Sequence, residues 1–382
     1  MQKRIRIVSI GIILIVLFIS IILNNNTNNK HTFKKDGILY ALSLDGKSIT
    51  SFPSKGLYKA NVSCDGADGR WLYGDWKLAI ENITGDVSCD IKFETITKTY
   101  LNDYITGLAG TTQGTGQLVN ENGYRYEGKN PNNYVWFNNE YWRIIGVFDS
   151  SSHGQSGKNL VKIIRADVLD GLAWHKSYTN DWTAASLNKL LNGAYYNAQD
   201  GTSSGYCYGY STTATANCDY TKKGIQADYR GMIANVTWYL GGYSSNSATA
   251  ESFYGYERGT TVYSGRPTST TGYIGLMYPS DYGYSVLSSS CVRTTNLVSY
   301  GIGTCAGQSW LYGKGYEWTI TPYSSNGSSV FVLEYIGYLD SADVLFGKGG
   351  RPVLYLDASV YKIDGEGTLD KPYIIGMWEH LV

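Results

Sequence analysis

Glu-Trp-Thr-Ile-Thr-Pro (Glu317 to Pro322), Ser-Val-Phe-Val-Leu-Glu-Tyr-Ile-Gly-Tyr-Leu (Ser329 to Leu339) and Gly-Gly-Arg-Pro-Val-Leu-Tyr-Leu (Gly349 to Leu356) follow one another within the segment from Trp310 to Leu356. Each run is short, rich in β-branched and aromatic residues, and bounded by Gly, Asn, Ser, Asp or Pro, which is the pattern of strands joined by turns. The pattern predicts an antiparallel sheet at the centre of the main domain. No catalytic constellation accompanies it.

Upstream, Tyr134 to Phe137 and Tyr141 to Phe148 flank Asn138-Asn139, a pair that tolerates the positive φ of a two-residue hairpin turn. Leu160 to Arg165 adds a further strand. Thr183 is placed to cap a short helix with Leu187, Leu190 and Leu191 on one face, stopped at Asn192-Gly193. Ile225, Tyr229, Met232, Ile233, Val236 and Leu240 mark a second helix. Ala194 to Tyr220 and Gly241 to Gly315 consist mostly of Tyr, Ser, Gly and Thr and read as long loops, pinned by four of the six cysteines.

The Trp-x-x-x-Pro strand, the hairpin with Gly at its tip and the closing Arg-Pro-Val-x-x-Leu strand resemble the end of a C-type-lectin-like domain, the fold of formylglycine-generating-enzyme relatives and variable receptor-binding proteins. From about Asp36 onward the chain also resembles uncharacterised membrane-anchored surface proteins of Gram-positive-type bacteria. The matching residues are Asn130 to Asn138, Trp142 to Phe148, Gly275 to Tyr284 and Gly367 to Tyr373. The first resemblance implies a fold and the second a place at the cell surface; neither carries an activity.

Residues 1–24 read as a cytoplasmic tip and transmembrane anchor. Lys3, Arg4 and Arg6 precede the apolar run Ile7 to Leu23, whose length of roughly 26 Å as a helix is the short end of a membrane span. A cleavable signal peptide is the competing reading, but Ser-Ile-Ile-Leu-Asn-Asn lacks a small-x-small cleavage site. Charge on the short side orients Met1 to the cytoplasm and the bulk of the chain outside the plasma membrane. Residues 25–35 read as a flexible stalk and 36–95 as a small all-β module with strands at Ile38 to Leu42, Leu57 to Ser63, Trp76 to Ile80 and Val87 to Phe93. Residues 96–123 read as a linking helix (Thr97 to Leu108) and an inter-domain loop (Gly110 to Glu121), 124–376 as the lectin-like domain and 377–382 as a tail. The expected class is therefore α+β, with a mainly antiparallel sheet, two or three short helices and long ordered loops in the main domain.

Formal net charge is zero and only 17% of residues are charged, so the chain has no basic footprint for nucleic acid. The six cysteines fall as neighbours, Cys64 with Cys89, Cys207 with Cys218 and Cys291 with Cys305. No Cys-x-x-Cys or nearby His completes a zinc set, so local disulfides in an oxidising exterior are expected, as one of fifteen arithmetical pairings. The two-cysteine copper motif of lectin-like oxidases and the Glu-Pro-Asn or Trp-Asn-Asp ligands of calcium lectins are missing, and no cofactor is implied.

Asp364 to Asp370 offers alternating oxygen ligands, as calcium loops do, but reads more simply as a Gly-rich turn. Gly347-Lys348-Gly349-Gly350 lacks the Ser or Thr and the helix of a phosphate loop. His175, between Asp170 and Asp181, is the one plausible base, with no nucleophile motif beside it. Asn61, Asn82, Asn235 and Asn326 begin sequons that a bacterial source would leave unmodified.

What remains for recognition is aromatic. The chain holds 35 Tyr and 45 Gly, and its long loops present Tyr206, Tyr208, Tyr210, Tyr282, Tyr284, Trp310 and Tyr312. Such rings offer a stacking face and a polar tip at low entropic cost, which suits an extracellular glycan, peptide or protein. The alternative is that they pack inward to build loops poor in aliphatics. The sequence thus points to a cell-surface binding protein, with an enzyme acting on envelope polymers or a structural component of the surface as the other readings.

Overall fold

The structure, a computed structural model, describes residues 32–35, 37–73, 76–210, 217–301, 303–313 and 315–377. Two compact units divide between Thr99 and Tyr100. The anchor expected over residues 7–23 lies outside the described residues. Among the described residues no helix is long and apolar enough to cross a membrane.

The first unit is a sheet in the order Thr32–Lys35, Ile38–Leu44, Val87–Thr95, Tyr58–Asp65, with Lys47–Ser48 folding back on Ile38–Leu44. Ile38–Leu44 and Val87–Thr95 run parallel; their other partners are antiparallel. Val87, Cys89, Ile91 and Phe93 alternate inward, as a strand with one covered face requires. The hairpin Asp68–Leu72 with Lys77–Glu81 adds Trp71, Leu78 and Ile80 to the same core. Phe52, Trp71 and Phe93 meet there, with the Trp71 and Phe93 rings edge to face at 5.0 Å. Cys64 and Cys89 stand directly opposite on neighbouring strands and are bonded. The stalk expectation fails at its end: Thr32–Lys35 is an edge strand paired from Thr32 with Ala41 to Lys35 with Ile38. An edge strand needs its backbone ladder more than apolar side chains, and lysines are usual there.

The second unit has two principal sheets. The larger runs Ile274–Gly275, Val353–Leu356, Leu160–Arg165, Glu140–Phe148, Tyr134–Phe137, Tyr373–Gly376, Tyr361–Asp364, and Tyr124–Gly128 joins Glu140–Phe148 off this path. Leu160–Arg165 and most of Glu140–Phe148 are buried without alternation, so both faces of the sheet centre are covered. The second sheet runs Leu169–Ala173, Gly347–Gly350, Glu317–Pro322, Ser329–Leu333, Leu339–Asp343. Trp174 Nε1 donates to Thr319 O at 3.1 Å and Trp318 Nε1 to Leu172 O at 2.7 Å, tying its elements together through buried indoles.

The segment Trp310 to Leu356 therefore forms strands but not one sheet. Gly347–Gly350 belongs to the second sheet and Val353–Leu356 to the first, with Arg351-Pro352 at the crossing. Proline has no N–H to continue a ladder. Ser329 to Leu339 is likewise interrupted: the strand ends at Leu333, Gly337 turns the chain at φ 96°, and Leu339–Asp343 returns antiparallel.

Helices are few and short. Leu101–Thr106 lies inside the expected span Thr97 to Leu108. Ser186–Leu190 carries the expected leucines but begins after Thr183, and it widens into a π-turn over Leu191–Tyr195 instead of stopping at Asn192-Gly193. The helix expected over Ile225 to Leu240 is reduced to Ala227–Arg230, because Val236–Tyr239 pairs as a strand with Ser269–Gly272. Ala250–Glu257 and Pro279–Tyr284 arise within a stretch read as loop. Gly110 to Glu121 is also no loop: Gly116–Asn120 pairs with Tyr124–Gly128 and buries Leu118. Gly116 permits this, since a Cβ there would meet Glu127 O at 2.1 Å. The molecule is mainly β-sheet with a few short helices.

Candidate functional site

The seven aromatic residues singled out from the loops separate into two sets. Tyr282 is 1% exposed and donates its hydroxyl to Gly337 O at 2.6 Å. Tyr284 is buried, accepts from Asn122 Nδ2 at 2.8 Å, and lies under the Arg125 guanidinium at 4.7 Å. Trp310, 6% exposed, donates Nε1 to Tyr126 O at 2.8 Å and is covered by Arg143 at 4.7 Å. These three are core residues and not ligand anchors. Tyr282 and Tyr284 point inward because Pro279–Tyr284 is a helix buried along its whole length.

Tyr206 and Tyr210 are exposed, and Tyr208 and Tyr312 are half-buried. The segment carrying the first three is fixed at two points. Cys207 is bonded to Cys218, both sulfurs buried, and Tyr208 O accepts from Ala173 N at 2.7 Å. Tyr210, 56% exposed, thereby meets the ring of Phe346 with centroids 5.7 Å apart. Two residues on, Lys348 holds Nζ 3.9 Å over the ring of Tyr316. Tyr316 in turn lies 5.4 Å from Tyr335, and the carbonyl of Tyr335 accepts from the Tyr312 hydroxyl. The result is two exposed ring pairs, Tyr210 with Phe346 and Tyr316 with Tyr335, with Phe346 45% and Tyr335 52% exposed.

Charge accompanies the rings. Burial pulls the Lys348 ammonium below its usual range, while Glu334 and Asp340 favour its charged form. Burial likewise pushes the Glu334 carboxyl up, opposed by Lys348. One amine and the Glu334 carboxyl thus stand beside the Tyr316 ring, able to donate to and accept from hydroxyl groups of a bound molecule. Phe346, Tyr316 and Tyr335 were not singled out from the sequence, and Lys348 only within the rejected phosphate-loop pattern. Their signal is local: Leu345-Phe346-Gly347 and Tyr335-Ile336-Gly337 place an aromatic within two residues of Gly at a turn, where a side chain has left the sheet and has no core to enter.

The other candidates resolve as structure. His175 accepts from Lys176 N at 2.7 Å through Nδ1, with Ser186 Oγ at 3.4 Å. Both side chains are buried, and the Asp181 carboxylate serves Thr183 N and Oγ1 at 2.9 and 2.7 Å. A substrate carbonyl has no path to that hydroxyl. Asp364 to Asp370 forms the turn between Tyr361–Asp364 and Tyr373–Gly376, with Gly365 and Gly367 at positive φ and Glu366 paired to Lys371 at 3.1 Å. Among the described residues, no group of three or more His, Cys, Asp or Glu could hold a metal ion. A shallow cleft of about 240 Å³ between Asp167, Asp170, Tyr220 and Lys223 includes Arg165, but that guanidinium is committed to Glu140 at 2.6 and 2.9 Å.

All three expected disulfides are formed, Cys64–Cys89, Cys207–Cys218 and Cys291–Cys305, leaving no free cysteine among the described residues. Such pairing fits an extracellular or secreted protein. Comparison of the chain with protein-family models, curated proteins and solved structures found no match.

Proposed function

We propose that the chain is an extracellular binding protein whose second unit takes a polyhydroxylated ligand, a surface or cell-wall glycan, on the exposed rings Tyr316 and Tyr335 and the pair Tyr210 and Phe346. The observation that supports this reading is the exposed pair Tyr316 and Tyr335 with Lys348 over the Tyr316 ring, and a second exposed pair, Tyr210 and Phe346, whose Phe346 lies two residues before Lys348 in the chain. Isolated surface aromatics are ordinary, but paired exposed rings with an amine and a carboxylate beside Tyr316 supply both the stacking faces and the polar contacts a sugar strand uses. The lectin-like reading of the second unit belongs to the same proposal; its support is the Glu317–Pro322 and Ser329–Leu333 hairpin and the disulfide-pinned loops. Anchoring through residues 7–23 rests on the sequence alone, and protease added to intact cells should remove everything beyond Asn24 if it holds.

The test is binding of the fragment from Asp36 to Val382 to a glycan panel and to cell-wall fractions. Tyr316→Ala, Tyr335→Ala and Phe346→Ala should each weaken binding by about 1 kcal/mol or more, with unchanged unfolding midpoints. Binding untouched by all three substitutions would remove the site, and binding to protein fractions alone would replace the glycan by a protein partner.

A further inference from the structure

A second feature lies in the interior of the second unit, on the larger sheet. Lys162, on Leu160–Arg165, places Nζ 2.5 Å from Asp281 Oδ2 on the helix Pro279–Tyr284, 119 residues away in sequence. Both side chains are 1% exposed. Around the amine stand the rings of Tyr278 at 4.4 Å, Tyr355 at 5.5 Å, Phe148 at 5.7 Å and Trp238 at 5.8 Å. Asp281 is the hydrogen-bond acceptor of Lys162. The carboxyl is immobilised from its other sides: Oδ1 accepts from Arg125 at 3.1 Å and Oδ2 from Tyr278 N at 3.0 Å. Glu257, fully buried, accepts from N and Oγ of Ser280, the residue before Asp281, at 2.9 and 2.5 Å.

An ion pair in this setting is expensive. An ammonium carries three donors and here meets one carboxylate oxygen and aromatic faces, with the guanidinium groups of Arg125 and Arg258 disfavouring its charge. Condensation would remove both charges and leave an amide oxygen for Arg125. Holding the two groups in contact also supplies the rate, since fixed intramolecular reactants reach effective concentrations of about 10⁵ to 10⁸ M.

We propose that the folded chain joins Lys162 Nζ to Asp281 Cγ in an intramolecular amide bond. A proton passes from the ammonium to the carboxylate within the pair, leaving an amine and a carboxylic acid. The nitrogen lone pair attacks Cγ, forming the C–N bond; the C–Oδ2 bond breaks, and the hydroxyl departs as water with a proton from the nitrogen. Nothing is oxidised or reduced and no further reactant is required. Arg125 stabilises the negative charge that builds on Oδ1 during the attack. Burial pulls Lys162 down to about 8 and pushes Glu257 up to about 7. Against the effect of burial, Lys162 and Arg125 hold the Asp281 carboxyl below its ordinary range, so the proton transfer within the pair runs uphill and the enforced contact of the two groups has to offset it.

Mass spectrometry of the full chain and of its peptides, after complete disulfide reduction, tests this. The wild-type protein should be lighter than its sequence by one water, and digestion should yield the peptide containing Lys162 joined to the peptide containing Asp281. Lys162→Met and Asp281→Ala should each restore the missing mass. The wild-type digest decides the matter whether or not either variant folds. Separate wild-type peptides at full mass would overturn the bond. So would a water loss confined to Asp-Gly sequences such as Asp65-Gly66 or Asp170-Gly171, where dehydration has another cause.

Discussion

Trp310 and Tyr210 looked alike in a Gly- and Ser-rich sequence, and their surroundings now predict opposite outcomes. Trp310→Ala removes a ring 6% exposed, its bond to Tyr126 O and the platform beneath Arg143, and should cost about 3 to 5 kcal/mol in denaturant unfolding. Tyr210→Ala removes a ring 56% exposed and should change stability by no more than about 0.5 kcal/mol. Equal losses would show the two environments to be misassigned. Glu257 makes a second prediction at this scale. Burial pushes its carboxyl up to about 7 from the ordinary 4.5, against the pull of Arg258 and the Ser280 hydrogen bonds and with the repulsion of Asp281. A raised carboxyl favours the protonated folded state, so its contribution is full below pH 4.5 and is lost as pH rises through about 7. His153 and His175, both depressed by burial, act in the opposite sense, losing stability as pH falls below 6.5. The difference between wild type and Glu257→Gln isolates the glutamate. Wild type should lose stability relative to that variant between pH 4.5 and 7, and a flat difference would remove the claim.

Among the elements, the hairpin Tyr134–Phe137 with Glu140–Phe148 shows how far local sequence reaches. Asn138 and Asn139 take φ of 57° and 59°, the left-handed pair that a two-residue turn demands and that Asn tolerates, so this turn was legible. The side chain of Asn138 also ties the turn to a distant loop, since Nδ2 donates to Gly224 O at 3.0 Å and Oδ1 accepts from Gln226 N at 2.8 Å. Asn138→Gly suits the turn yet abandons two buried contacts, and chemical denaturation should show a loss of about 1 to 3 kcal/mol; a neutral result would make the turn the residue's whole purpose. The disulfides were legible for a similar reason, since each joins cysteines close in sequence. Other elements were not. Gly116–Asn120 is poor in apolar residues, and its strand is decided by the hairpin ladder with Tyr124–Gly128 and the buried Leu118. Val236–Tyr239 carries helical spacing over Ile225 to Leu240 but is claimed by Ser269–Gly272. Backbone pairing decided both, locally in the first and between distant segments in the second, and the exposed ring pairs were hidden because each joins residues far apart in sequence.

For the whole molecule the decisive feature is that the two cores share no residue. One is built within Ile38 to Phe93 and the other within Leu101 to Ile375. A unit with its own core and its own disulfides meets the physical requirements for folding alone. The smaller one depends more on covalent help, because few residues bury a small fraction of their surface. Cys64–Cys89, 25 residues apart, should supply roughly 3 to 4 kcal/mol by restricting the unfolded chain. Scanning calorimetry of the full chain should therefore show two transitions, the fragments 32–99 and 100–377 each reproducing one. Cys64→Ser with Cys89→Ser should lower only the transition of the smaller unit, by tens of degrees or to the point of unfolding, because about 1 kcal/mol already moves the midpoint of a domain this size by 4 to 8 °C. A single transition that shifts as a whole in the double variant would mean that the units fold as one body and that the separation of their cores has no thermodynamic counterpart.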